Sequence, residues 1–152
     1  MRKLILFLFL VFVSFGIANN TIAQRNVTLA IDRDPLLEVD AKHNLDVAQY
    51  SFLYKKAYKG VLERFEETYA AYPTFSKIDE FLYYAGMSCY YLSENKGKQK
   101  IDMKTEKDKV KFSPENLKES AVAYLSEIVD KHPESKFKSD AEKTLLALKA
   151  AK

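Results

Sequence analysis

The chain has 152 residues, with 24 basic and 21 acidic side chains, two histidines and one cysteine. This length favours a single domain. One cysteine excludes an internal disulfide and any cluster of thiolates around a metal or an iron–sulfur centre. Beyond the first 24 positions, 22 basic and 21 acidic residues remain, a net charge of +1. Such a balanced domain is a poor candidate for nucleic-acid binding, which depends on neutralising phosphates.

The first 23 residues have the features of a secretory signal peptide. Basic Arg2 and Lys3 precede an apolar run over residues 4–13, and Thr21-Ile22-Ala23 fits the small-x-small cleavage pattern. We expect cleavage after Ala23, with Gly16-Ile17-Ala18 as the alternative site. An uncleaved anchor is the competing interpretation, although the run is short for a membrane helix.

Five apolar stripes at helical spacing follow an extended lead-in over residues 24–33, and no hairpin dipeptide is present. We therefore predict an all-α domain over residues 34–152, with five helices and no sheet. The expected helix starts are Asp34-Pro35, Ser76 with Asp79, Ser113-Pro114, and either Ser135 or Ser139, where Ser139 and Glu142 form a capping box. The second and fourth helices should end at Tyr72-Pro73 and His132-Pro133.

A lysine-rich segment over residues 94–112 interrupts the helical pattern, with seven lysines and four acidic residues. It is longer than most loops in compact domains. We interpret it as an exposed insertion, because its acidic residues dilute the lysines. Contact with anionic lipid or another surface is the alternative.

Matched spacings indicate a repeat. Val61, Phe65 and Pro73 are separated by the same intervals as Ala121, Leu125 and Pro133. The preceding helices share an i, i+3, i+4, i+7 pattern, formed by Leu45, Ala48, Gln49 and Phe52 and by Leu82, Ala85, Gly86 and Cys89. The first unit, residues 42–75, spans 34 positions, which is the period of the tetratricopeptide repeat.

The second unit has this period only if the lysine-rich segment is an insertion in its turn, and the fifth helix would then cap the stack. The predicted fold is thus a set of tetratricopeptide-like helical hairpins, about two repeats plus a C-terminal capping helix. Small residues at Ala48, Ala85 and Gly86 would let the paired helices approach closely.

The closing segments carry a family resemblance. Tyr72-Pro73-Thr74-Phe75-Ser76-Lys77 and His132-Pro133-Glu134-Ser135-Lys136-Phe137, followed in the first case by the helix Asp79–Tyr91, resemble the BamD-like outer-membrane assembly lipoproteins over about residues 40–150. The resemblance implies a periplasmic tetratricopeptide scaffold, peripheral at the outer membrane, that helps deliver or fold β-barrel proteins through protein contacts. Two features depart from the family: the lipid-bearing cysteine is absent, and there are about two repeats where full-length members have more.

Catalytic candidates are weak. Cys89 lies on the apolar stripe of the third helix, where a cysteine acts as a small hydrophobe, and no motif places His43 or His132 beside it as a base. Two histidines without paired spacing do not make a zinc site. We expect no enzyme activity, no metal and no cofactor.

Tyrosine marks the candidate binding surface. Tyr83, Met87, Tyr90 and Tyr91 form a stripe on the third helix, and Tyr50 and Tyr54 lie on a second face of the first helix with His43, Asp46 and Leu53. By the family resemblance, these two stripes face each other across a groove. Tyrosine and methionine favour binding surfaces. The alternative is that they pack under the N-terminal or lysine-rich segment.

The predicted function is a secreted, non-enzymatic scaffold that binds a partner protein or an extended peptide at Tyr50, Tyr54, Tyr83, Met87, Tyr90 and Tyr91. Outer-membrane assembly components are the expected partners, and contact with the membrane itself would be only indirect. The alternative is an envelope protein whose repeats self-associate into a homo-oligomer, since isolated repeats need neighbours for stability.

Overall fold

The computed structural model describes residues 33–150, which form five α-helices and no strand. The helices are α1 (Pro35–Tyr50), α2 (Tyr58–Ala71), α3 (Ile78–Ser93), α4 (Pro114–Lys131) and α5 (Lys138–Ala150). The prediction of an all-α domain with five helices is therefore confirmed. The predicted signal peptide and nearly all of the lead-in lie outside the described residues.

Two helix starts are capped as the sequence predicts. The Asp34 carboxylate accepts hydrogen bonds from the N–H groups of Leu36 (2.8 Å) and Leu37 (3.4 Å). At α4 the Ser113 hydroxyl oxygen accepts a bond from the Asn116 N–H (3.2 Å). Each cap precedes a proline at the first helical position, where the missing N–H costs nothing.

α3 and α5 begin close to the predicted residues, but Ser76 and Ser139 do not cap them. α3 begins at Ile78 without a side-chain cap, and Ser139 lies inside α5 instead of before it. In both cases a backbone turn starts the helix. The Ile78 N–H donates to the Phe75 carbonyl (3.1 Å), and the Lys138 N–H donates to the Ser135 carbonyl (3.1 Å).

The two turns that follow α2 and α4 are the same structure, 60 positions apart. After α2, Tyr72 donates to Thr68 (2.7 Å) and Phe75 to Tyr72 (3.2 Å). After α4, His132 donates to Ile128 (3.0 Å) and Ser135 to His132 (3.0 Å). These bonds turn the chain back identically after each proline-containing segment, so the repeat inferred from spacing is also a repeat of backbone geometry.

The helices stack in two rows. α1, α3 and α5 form one row, in which the Gln49 amide donates to the Tyr84 hydroxyl (3.1 Å) and the Tyr83 ring stacks on Phe137, just before α5, at 4.6 Å. α2 and α4 form the other row, where the rings of Phe65 and Tyr124 meet edge to face at 4.9 Å. Each helix also packs on the next along the chain, as expected of stacked helical hairpins.

The chain between α1 and α2 contains a π-helical turn, Ser51–Lys55, that the sequence did not predict. The turn ends at Lys56, whose φ is +51°. A π-helical turn shifts the register of the side chains that follow it. Phe52 points inward, against Tyr58 (5.4 Å) and Tyr84 (5.1 Å), while Leu53 and Tyr54 are exposed.

Small residues bring α3 and α4 close together. A Cβ placed on Gly86 would lie 2.8 Å from Cγ and Cδ2 of the buried Leu125. Ala48 and Ala85 are likewise fully buried.

In α5, the positions 60 residues after Leu82, Gly86 and Cys89 are Glu142, Leu146 and Lys149, all exposed. Two of these three residues are charged, as on the outer face of a capping helix, and Leu146 is the one apolar side chain among them.

Gly86→Ala should destabilise the domain, because the added methyl group must displace the buried side chain of Leu125. We expect the free energy of unfolding to fall by about 1–3 kcal/mol. Gly60→Ala is the matched control in α2, since no atom lies within 4 Å of its added Cβ. That variant should gain about 0.5 kcal/mol from reduced chain entropy. Urea unfolding followed by circular dichroism measures both, and equal effects at the two glycines would contradict the close approach.

Candidate partner-binding surfaces

The tyrosines at the end of α1 are accessible. Tyr50 is 54% exposed and Tyr54, on the π-helical turn, is 71% exposed. Their ring centroids lie 5.3 Å apart, and the Lys55 ammonium group lies 5.2 Å from the Tyr50 ring. An exposed aromatic pair beside a cation offers a large apolar area for binding. The two tyrosine side chains lose little conformational entropy when a partner covers them.

The middle of the α3 stripe is covered, which corrects the expectation that Met87 lines an open groove. Met87 is buried, and the Thr144 hydroxyl of α5 lies 3.5 Å from its sulfur. Tyr83 is half-buried against Phe137. The physical reason is that α5 extends the row of α1 and α3 and packs over this face.

The end of the α3 stripe packs against the end of α1. Tyr91 contacts the rings of Phe52 (5.9 Å) and Tyr58 (5.1 Å), and Tyr90 lies 5.6 Å from Tyr91. Burial raises the pKa of Tyr90, and the neighbouring Glu94 raises it further, so its hydroxyl stays neutral. The α3 stripe thus reaches the first helix through Phe52, a residue of the core pattern, and the Tyr50 ring pairs with Tyr54.

A cavity of about 440 Å³ opens where these two helix ends meet. Its lining residues are Phe52, Leu53, Lys56, Tyr58, Tyr91, Lys96 and Gly97. Of this set, the sequence predicts only Tyr91 as a binding residue. The available signal was the glycine inside the lysine-rich segment, since Gly97 has a φ of +96° and its place admits no Cβ beside the Tyr58 ring.

The lysine-rich segment lies between α3 and α4 and is anchored on α2. The Lys98 N–H donates to the Lys56 carbonyl (3.0 Å), and Lys59 forms an ion pair with Glu106 at 2.7 Å. The hydrogen bond from Lys59 holds the pKa of Glu106 below its ordinary value. Phe112 is buried beneath Lys59, whose ammonium group lies 4.5 Å from its ring. Most lysines of the lysine-rich segment are exposed, but these contacts hold the backbone of the segment in place.

A second cavity, of about 460 Å³, lies between α4 and α5. Val122 and Leu148 supply its apolar part, and Glu115, Lys118 and Glu119 its charged part. No chemistry-bearing cluster accompanies it. Among residues 33–150, no group of three or more histidine, cysteine or carboxylate side chains could hold a metal ion.

Cys89 is buried in the core, as the sequence predicts. Burial raises the pKa of its thiol to about 12, and nearby Glu66 adds to the shift. The thiolate is the reactive form of cysteine. A thiol with so high a pKa, closed off from solvent, cannot act as a nucleophile at neutral pH.

Cys89 should therefore resist thiol-specific reagents in the folded protein. At pH 8, a pKa of about 12 leaves roughly one thiol in ten thousand ionised. We expect reaction with a disulfide reagent such as dithionitrobenzoate only on unfolding, and complete reaction in 6 M guanidinium chloride. Rapid labelling under native conditions, with helix content unchanged, would show that the α3 core opens readily.

Substitutions at Tyr54 and Tyr83 should separate surface from core. Tyr83→Ala removes the ring stacked on Phe137 and should lower the free energy of unfolding by about 1–3 kcal/mol. Tyr54→Ala, at a 71% exposed side chain, should change it by less than about 0.5 kcal/mol. Thermal unfolding of the two variants gives the comparison, and a large loss at Tyr54 would contradict its exposed position.

Comparison with known proteins gives one match. A family model described as YfiO, outer membrane lipoprotein, matches residues 40–151, from the first turns of α1 through the end of α5. No curated protein and no solved structure matches the chain significantly. No helix within residues 33–150 has the length and apolar character needed to cross a membrane.

Proposed function

The chain belongs to the YfiO family, the outer membrane lipoproteins of the BamD type, and on that premise we propose that it is a non-enzymatic scaffold of the cell envelope. It binds partner proteins during the assembly of outer-membrane proteins. The family match over residues 40–151 carries this proposal. The two-row stack of helices supports it, because such stacks present extended, rigid binding surfaces.

We propose that partner contacts form along α1 and α3. Tyr50 supplies an exposed anchor at one end, and half-buried Tyr83 and Tyr90 supply the neighbouring area on α3. Partly buried tyrosines are held in one rotamer by their neighbours, so they lose little entropy when a partner covers them. Tyr54, on the π-helical turn, and Tyr91, at the cavity, lie toward the end of these helices and are not part of this surface.

We further propose that residues 1–23 are a signal peptide cleaved after Ala23, which releases the domain into the periplasm, peripheral to the outer membrane. The basic start, short apolar run and small-residue site support this. Cys89 is the single cysteine of the sequence and is buried, so it does not serve as a point of lipid attachment.

Self-association of stacked repeats is the alternative proposal, and the capping helix disfavours it at one end. Glu142 and Lys149 are exposed on the outer face of α5, at positions where α3 has buried Leu82 and Cys89. Stacking another copy there would bury two charged side chains, which is costly unless each finds a partner.

Photo-crosslinking in the native cells tests the scaffold proposal. A crosslinking amino acid at position 50 should give covalent adducts with outer-membrane proteins or their assembly components, because this position lies on the proposed surface. The same probe at position 146, 68% exposed on α5, is the matched control and should give few adducts.

Depletion of the protein should also lower the amount of folded barrel proteins in the outer membrane. Adducts formed only between copies of the chain would favour self-association instead. Equal adduct patterns at positions 50 and 146 would contradict the proposal that partners bind at the surface around Tyr50.

A further inference from the structure

Two short segments together carry more net positive charge than the whole chain. Residues 50–56 and 94–100 contain five lysines and one acidic residue, a net charge of +4, whereas the whole chain carries +3. The remaining residues are therefore slightly acidic. A surface of one sign on an otherwise balanced protein attracts the opposite charge over roughly a Debye length, about 8 Å at physiological salt.

The fold brings these two segments together at one end of the domain. The Lys98 N–H donates to the Lys56 carbonyl, and both segments line the cavity of about 440 Å³. Lys56, Asn95 and Gly97 all have left-handed backbone conformations, and they are the described residues with positive φ. We call this surface the lysine–tyrosine end, comprising residues 50–56 and 94–100.

The acidic residues near this end do not cancel its charge. Glu94, the one acid within it, is engaged by the Lys96 ammonium group at 2.5 Å. Further along the lysine-rich segment, Glu106 pairs with Lys59, and Asp102 and Asp108 accept hydrogen bonds from backbone N–H groups. Lys55, Lys56, Lys98 and Lys100 are all exposed.

Exposed apolar side chains lie among these lysines. Leu53 is 47% exposed, and Tyr50 and Tyr54 are more exposed still. Tyrosine and leucine next to lysine are the residues that favour the boundary between the headgroups and the acyl chains of a bilayer. There the tyrosine ring is partly in contact with water, and the apolar stem of lysine lies along the acyl chains while its ammonium group stays in water.

We propose that the lysine–tyrosine end is a membrane-contact surface, which binds the anionic phospholipid headgroups of a bilayer and inserts Leu53 and Tyr54 at headgroup depth. The phosphates neutralise the exposed lysines, and the leucine and tyrosine leave water. This inference goes beyond the proposed function, because it concerns a lipid surface and not a protein partner, and it stands whether or not partners bind along α1 and α3.

The charge pattern favours a membrane over an acidic protein as the occupant. The exposed lysines come from two segments of chain that meet beside Leu53 and Tyr50, so their charge is not confined to one path along a single segment. Each lysine near an anionic surface contributes independently to binding. Dispersed positive charge with a few inserting side chains therefore suits a lipid bilayer, whose anionic headgroups can move to meet the lysines.

Binding to vesicles tests the proposal with the protein as purified from the cell envelope. We expect it to sediment with vesicles of phosphatidylethanolamine containing 30% phosphatidylglycerol, and to bind phosphatidylcholine vesicles far less. The variant Lys55→Glu/Lys98→Glu/Lys100→Glu should lose about 100-fold in partition coefficient. The control Lys136→Glu/Lys143→Glu/Lys149→Glu has the same net charge and changes three exposed lysines elsewhere, so it should retain most of the binding.

Insertion has a separate readout because the sequence contains no tryptophan. Tyr54→Trp should show a blue-shifted emission and quenching by brominated lipids on anionic vesicles. Leu146→Trp, at a similarly exposed position on α5, should show neither. Helix content from circular dichroism confirms that each variant is folded.

Three results would overturn the proposal. They are an absence of binding to the anionic vesicles, equal losses in the two triple variants, and unchanged emission of Tyr54→Trp on vesicles that do capture the protein. Binding of a soluble acidic peptide in place of vesicles would assign the surface to an acidic protein partner.

Discussion

The stack depends on one helix that has neighbours on almost every side. α3 packs against α1, α2 and α4, its Met87 contacts Thr144 of α5, and ten of its sixteen residues are buried. A helix can be surrounded in this way only if some of its side chains are small, since four neighbours of ordinary size do not fit around a cylinder of large residues. Ala85, Gly86, Ser88 and Cys89 meet this requirement, with Gly86 at the closest approach, against Leu125.

Much of the helical architecture was predictable because it depends on local patterns. Amphipathic stripes identify the five helices, and Asp34-Pro35 and Ser113-Pro114 combine a capping side chain with a proline that suits only the first turn. The repeated spacing around Pro73 and Pro133 indicates the identical turns. Each of these signals lies within one helix or one turn, so the sequence expresses it directly.

The candidate site was less predictable, because it depends on which helix covers which face. The stripe of Tyr83 and Met87 has the same periodicity whether solvent or another helix lies over it, and α5 covers it from more than 50 positions away. The π-helical turn was also missed, because no propensity rule distinguishes Ser51–Lys55 from the end of an ordinary helix. Phe52 still points inward and Tyr54 is still exposed, which is where the helical pattern already places them.

The two ends of the stack differ physically, and this difference connects the fold with both proposals. The outer face of α5 carries Glu142 and Lys149 beside Leu146, so further packing at the α5 end would bury charged side chains along with one apolar one. The first helix instead exposes Leu36, Val39 and Tyr50, with exposed fractions of 77%, 66% and 54%. Exposed apolar area gains free energy when it is covered. Contacts with partners or with lipid are therefore expected to begin at α1 and its π-helical end, where the core of the stack is least complete.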